Sequence, residues 1–131
     1  MSILVGIDMV EIARCARWIT YSDAILLKWF SPDEIAYCRS DEKRFTERCA
    51  ARFAAREACY KALNSYARIP AVPFRSMCRA VAIENTRHGP FLRIEQELLS
   101  HWYLLPSVLN ITISWSHTAS MAVAVVVIAP E

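Results

Sequence analysis

The segment from Asp41 to Tyr66 constrains the chain most. Phe45, Cys49, Phe53, Tyr60 and Leu63 recur within it at helical spacing, and alanines fill the gaps. The pattern predicts one long helix, ended by Ile69-Pro70-Ala71-Val72-Pro73, where proline cannot continue it. A chain of 131 residues favours one domain, residues 1–131, with one core. Its residues are 55% hydrophobic and 21% charged, a globular balance. That apolar fraction is high for so small a domain and points to area covered by another subunit.

Around this helix the other elements read as follows. Ile3 to Ile7 is a short buried strand. Asp8-Met9-Val10-Glu11 has the form of a capping box, which predicts a helix from Met9 with Arg14 and Arg17 on one side. A second helix is expected over Ala24 to Phe30. Ser31-Pro32-Asp33-Glu34 is a strong helix start, with a capping serine, a first-turn proline and a glutamate to complete the box. The second half reads as strands. Arg79 to Glu84 and Phe91 to Ile94 flank His88-Gly89-Pro90 as a hairpin, and Glu95 to Trp102 is a short helix. Asn110 to Ser116 alternates, with Ile111, Ile113 and Trp115 on one face. A tight connection through His117 and Thr118 leads to a β-branched strand, Met121 to Ile128. The fold class is α+β: an antiparallel sheet packed against one long helix and shorter N-terminal helices.

Several function classes drop out. A net charge of +2 is too weak to argue for nucleic acid. Glycine occurs only at Gly6 and Gly89, which excludes glycine-rich phosphate loops. The five cysteines are odd in number and lack metal or redox spacing, so they read as free thiols in a reducing compartment. No basic region precedes the first apolar run, so it does not read as a signal peptide. The run Met121 to Pro130 is too short to span a bilayer. The expectation is a soluble, cytoplasmic protein with no nucleic-acid or membrane partner.

Three places could carry chemistry. Asp8 closes an apolar strand, either as a helix cap or as a metal ligand at the mouth of the sheet. Glu57 and Lys61 lie four apart, the order of a surface ion pair. A carboxylate set among Arg52, Arg56 and Lys61 would equally suit an anionic, metal-chelated substrate. His117 follows a polar strand face and is either structural or functional. A serine hydrolase is disfavoured, because no nucleophile elbow surrounds Ser116.

Taken together, three stretches resemble the holo-acyl-carrier-protein synthase family, the small 4′-phosphopantetheinyl transferases of fatty-acid biosynthesis. They are Gly6-Ile7-Asp8-Met9-Val10-Glu11-Ile12, Arg52-Phe53-Ala54-Ala55-Arg56-Glu57-Ala58 with Lys61, and Ser114-Trp115-Ser116-His117. Phe30-Ser31-Pro32-Asp33-Glu34 adds to the resemblance. It implies the 4′-phosphopantetheinyl transferase fold and transfer of phosphopantetheine from coenzyme A to a serine of apo-acyl-carrier protein, leaving 3′,5′-ADP. It implies Mg2+ held by Asp8 and Glu57. Glu57 and Lys61 match the catalytic positions, with either Glu57 or a metal-bound water taking the serine proton. Lys43, Arg52, Lys61 and His117 match positions that contact coenzyme A, including its 3′-phosphate. Arg14 matches a helix residue that receives the acidic carrier protein, and Arg17 nearby would complete a positive face for it. A homotrimer with sites between subunits is implied as well.

The sequence departs from the family pattern in places. Arg56 stands where lysine is usual, Ala51 where glycine is, and Asn64-Ser65-Tyr66 where glycines follow the helix. Met121 replaces an aromatic residue, and the Gly89-Pro90 turn is tighter. Two other readings compete: a relative that binds coenzyme A or carrier protein without turnover, and an oligomeric interaction module.

Overall fold

The computed structural model describes residues 2–67, 72–101 and 109–130. Strand β1 (Leu4–Glu11) leads into a 3₁₀ helix, Ile12–Thr20, then helices α1 (Asp23–Leu26) and α2 (Pro32–Arg39). A 3₁₀ turn, Glu42–Arg44, precedes the long helix α3 (Phe45–Ala67). Helix α4 (Phe74–Ala80), strands β2 (Val81–Thr86) and β3 (Gly89–Ile94), helix α5 (Gln96–Ser100), and strands β4 (Leu109–His117) and β5 (Met121–Pro130) follow. Among the described residues two antiparallel sheets form, one ordered β1-β5-β4 and one pairing β2 with β3. The expected α+β architecture, a long helix against antiparallel strands, is the one observed.

Helix α3 is the centre. The small side chains Ala50, Ala54, Ala58 and Ala62 are fully buried, and so are Phe45 and Leu63. Small residues let neighbours approach closely on several sides. On one side lies the larger sheet, whose inward residues alternate along each strand: Leu4, Gly6 and Val10 on β1, and Ala122, Ala124, Val126 and Ile128 on β5. The closest approach is at Gly6. A Cβ there would stand 1.8 Å from the Ala58 carbonyl oxygen and 2.9 Å from the Ala62 nitrogen. Only glycine lets β1 lie this near the helix backbone.

The outward face of the sheet is apolar over two strands. Val5, Ile7 and Met9 are 56%, 56% and 61% exposed and pair with Val127, Val125 and Val123 of β5. On β4 the same face carries Asn110, Thr112, Ser114 and Ser116.

A second centre holds the other side of α3. Glu34 and Arg56 are 2% and 0% exposed, and both Arg56 terminal nitrogens donate to the Glu34 carboxylate, at 2.8 and 2.7 Å. Arg56 also donates to the Val81 carbonyl, and Glu34 accepts from the Ile83 amide. One buried pair thus ties α2, α3 and β2 together. The expected cap is present too: Ser31 accepts from the Glu34 amide, with Pro32 in the first turn.

Several boundaries differ from the sequence reading. No helix starts at Met9. Asp8 through Glu11 continue β1, paired in register with Ala124 through Met121, so Asp8 lies within the strand rather than at its end. Strand pairing and the inward burial of Val10 outweigh the local capping signal. Arg14 and Arg17 sit on the 3₁₀ helix instead, where three residues per turn put them on one side. The helix expected over Ala24 to Phe30 is α1, starting at Asp23 with Ser22 as its cap and ending in turns. Arg79 belongs to α4, and the strand begins at Val81. The hairpin turn is Arg87-His88, and Gly89 opens β3 at φ 105°, a conformation that favours glycine. The helix expected over Glu95 to Trp102 is α5; Trp102 lies outside the described residues, as does most of the proline-containing stop after α3. Asn64, Ser65 and Tyr66 remain helical.

Gly6→Ala should destabilise the fold by about 1–3 kcal/mol, since the backbone it meets cannot yield as a side chain does. Thermal unfolding measures this, and an unchanged midpoint would show that β1 does not press on α3 here.

Candidate active site

Asp8 faces inward beside Gly6, because strand residues two apart share a face. The close approach at Gly6 therefore carries Asp8 onto α3. There Lys61 Nζ lies 2.9 Å from Asp8 Oδ1 and 3.1 Å from the Ile7 carbonyl oxygen. Glu57, one turn back on α3, joins them. Burial pushes its carboxyl above the ordinary value, and the Asp8 carboxylate pushes it further. Lys61 and Arg14 oppose that shift. Two acids distant in the chain thus stand within reach of each other's charge, with two cations beside them. The surface ion pair suggested by the Glu57–Lys61 spacing is not the geometry found: Lys61 turns to Asp8.

Two carboxylates held together, one reluctant to ionise, fit a hard divalent cation that would relieve their repulsion. Among the described residues no cluster of three or more His, Cys, Asp or Glu side chains could hold a metal. Magnesium suits that sparse donor set, because it keeps waters and takes substrate phosphate oxygens.

Next to this pair runs a cleft of about 590 Å³ whose lining includes Val10, Arg14, Arg17, Trp18 and Phe53. It follows the 3₁₀ helix, and Arg14 and Arg17 give its lining positive charge.

A second cationic site lies across α3. A cavity of about 200 Å³ is lined by Arg44, Arg48, Arg52, Tyr37, Trp115 and His117, among others. His117 closes β4, with Nδ1 3.2 Å from the Thr118 carbonyl oxygen and 3.8 Å from Glu47 Oε2. Arg52 is 2% exposed. It donates to the Arg48 carbonyl and to Asn85 Oδ1, both at 3.2 Å, and lies over the Tyr37 and Trp115 rings. Its Nε has no hydrogen-bond partner among the described residues.

The two sites occupy different flanks. Arg52 and Glu57 are five positions apart on α3, about 140° around its axis. Asp8 and Trp115 share a row of the sheet through Ala124 but lie on its opposite outer strands.

Of the residues singled out in the sequence, Asp8, Glu57, Lys61 and Arg14 converge, and Arg52 and His117 meet separately. Arg56, expected to add charge for an anion, instead spends it on Glu34. Lys43 is exposed and does not line the Arg52 cavity; Arg44 and Arg48 do. Those two were missed, although Arg44, Arg48, Arg52 and Arg56 recur every four residues, which marks one stripe of a helix. Tyr37 gave no such signal, because only folding brings α2 against that stripe.

A model of the 4′-phosphopantetheinyl transferase superfamily matches residues 4–126. The holo-[acyl-carrier-protein] synthase of Cytophaga hutchinsonii is 33% identical over 127 residues, 93% of either chain. The Helicobacter pylori holo-[acyl-carrier-protein] synthase, solved in complex with coenzyme A, has a TM-score of 0.72 at 27% identity, covering 96% of this chain and 100% of that one. The fold is shared with the acyl-carrier-protein synthase–coenzyme A complex of Chronobacterium ammoniagenes, at a TM-score of 0.79 and 23% identity over 100% and 99% of the two chains. With its carboxylate pair and cationic cavity set on this fold, the chain belongs to the 4′-phosphopantetheinyl transferase superfamily.

Proposed function

We propose that this chain is a holo-[acyl-carrier-protein] synthase, a transferase that moves 4′-phosphopantetheine from coenzyme A to a serine of apo-acyl-carrier protein in fatty-acid biosynthesis. The observation that carries the reading is the convergence of Asp8, Glu57 and Lys61 in a member of this superfamily.

In this reading Asp8 and Glu57 hold Mg2+, which supplies Lewis-acid polarisation of the diphosphate when bound. Lys61 lies by the reacting phosphates, where its ammonium offsets charge growing on the leaving 3′,5′-ADP. The carrier's serine oxygen forms a bond to the phosphorus nearer the pantetheine, and the bond from that phosphorus to the bridging oxygen breaks. Either Glu57, whose proton affinity burial raises in the metal-free chain, or a metal-bound water takes the serine proton. Arg52 and His117, with Arg44 and Arg48, receive the 3′-phosphate. Arg14 and Arg17 face the acidic carrier protein along the cleft.

The separation of the two sites supports an assembly. One coenzyme A would have to reach both flanks of α3, and a neighbouring copy offers a shorter way to bring a β1 flank beside a β4 flank. The bare face of Val5, Ile7, Met9 and the β5 valines supplies apolar surface for such contacts. We take the working unit to be a homotrimer. Among the described residues no helix is long and apolar enough to cross a membrane. We assign the enzyme to the cytoplasm on the family reading.

Incubation with apo-carrier, coenzyme A and magnesium should add the phosphopantetheine mass to the carrier serine. Glu57→Gln should slow this at least 100-fold while the protein stays folded. The same variant carries a stability signature. A carboxyl whose proton affinity rises on folding costs stability once ionised. That cost is absent below the unfolded-state value near about 4.3 and complete above the folded-state value. Metal-free Glu57→Gln should therefore melt higher than wild type near neutral pH and lose the advantage in acid. Near-normal turnover would remove Glu57 from the site.

Arg14→Glu should raise the Michaelis constant for carrier protein and weaken its salt dependence, as steady-state kinetics at two ionic strengths would report. Unchanged kinetics would move the carrier elsewhere. Ile7→Lys should shift the sedimenting species to monomer and cut turnover with it; an active monomer would sink the shared-site reading.

A further inference from the structure

The buried cluster beneath the Arg52 cavity holds one carboxylate and two guanidinium groups. Glu34 Oε1 accepts from Arg56, from the Ile83 amide and from the Ser31 hydroxyl, at 2.7, 2.9 and 3.1 Å. Glu34 Oε2 accepts from Arg56 at 2.8 Å. Arg52 Nε is left 3.8 Å from that oxygen, beyond a hydrogen bond. The Arg56 fork thus occupies the Glu34 carboxylate and leaves Arg52, at 2% exposure, with a longer ion pair and an Nε that has no hydrogen-bond partner among the described residues. A buried guanidinium with an unused donor, sharing one carboxylate with a second guanidinium, gains from an anion brought into the cavity it lines.

Its direction is set as well. Arg52 Cζ lies 4.8 Å from the Tyr37 ring centre and 5.0 Å from that of Trp115. Tyr37 also carries Arg48 Cζ at 4.0 Å, and Arg48 in turn donates to the Tyr37 carbonyl and the Ser40 hydroxyl. The ring of Tyr37 therefore fixes two arginines of the same cavity at once.

We propose that Arg56 and Tyr37 are positioning residues that make the protein selective for a nucleotide bearing a phosphate monoester, by holding Arg52 as a preorganised and incompletely paired cation. This rests on the coenzyme A reading above and goes beyond it: Arg56 lies outside the cavity lining, and Tyr37, which is part of that lining, acts through the two arginines its ring carries. Arg56 acts through Glu34: a lysine there is a point charge that holds one carboxylate oxygen. The freed Oε2 then draws Arg52 Nε into a hydrogen bond and away from its place in the cavity. Tyr37 acts by packing, and its loss lets both arginines leave their places.

The test compares coenzyme A with 3′-dephospho-coenzyme A, in kcat/KM and by calorimetric binding, for wild type, Arg56→Lys and Tyr37→Leu. Wild type should prefer coenzyme A. Each variant should lower that preference roughly tenfold, through KM rather than kcat, the scale of one hydrogen bond to a charged group. A purely structural role would lower the melting temperature and leave the ratio between the two ligands at its wild-type value, which would overturn the proposal. If Arg56→Lys does not fold, the ratio for Tyr37→Leu decides alone. Wild type that binds with the expected preference but modifies no carrier would strike the proposed activity and spare this inference.

Discussion

The contact between β1 and α3 at Gly6 governs the rest of the molecule. There the strand backbone meets the helix backbone with no side chain between, and the alternation of the strand then aims Asp8 at Glu57 and Lys61. A single added carbon would lift the strand, and the two acids would separate. The chemistry of this site is therefore a matter of spacing between main chains before it is a matter of side-chain identity.

The opposite side of α3 is organised by charge instead of close approach. Breaking a buried ion pair by removing one partner costs on the order of 3–5 kcal/mol, so Glu34 and Arg56 lock α2 and β2 to the central helix. Arg52, one helical turn before Arg56, shares the same carboxylate without full claim to it. One acid thus serves two arginines, one by a bidentate hydrogen-bonded pair and one at longer range. The helix that separates the two chemical centres also gives each a rigid base.

The long helix, the Ser31 cap and the alternating strands β4 and β5 could be read from the chain because each depends on local periodicity or a local cap. The motif around Asp8 was harder. Its four residues satisfy a capping pattern and a strand pattern alike, and only pairing with β5 decides between them. Helix α4 was hidden because it is only seven residues long and runs straight into β2, so Arg79 and Ala80 read as the start of that strand. At the site, Asp8, Glu57 and Lys61 were legible through motif order. The fate of Arg56 was not: its buried partner is twenty-two positions away and was read only as a cap residue. Arg44 and Arg48 lay in plain view as a four-residue stripe, yet a stripe says nothing of what it faces.

All five cysteines are free and buried. Burial pushes the thiols of Cys59 and Cys78 up to about 12, and that of Cys15 up to about 11. Cys38 is the exception, lowered chiefly by a hydrogen bond with Cys49. A thiol must ionise and meet its reagent to be alkylated, and the closed molecule denies most of them both. Slow labelling by a maleimide therefore counts excursions of the core, so the native chain carries its own clock for how often it opens.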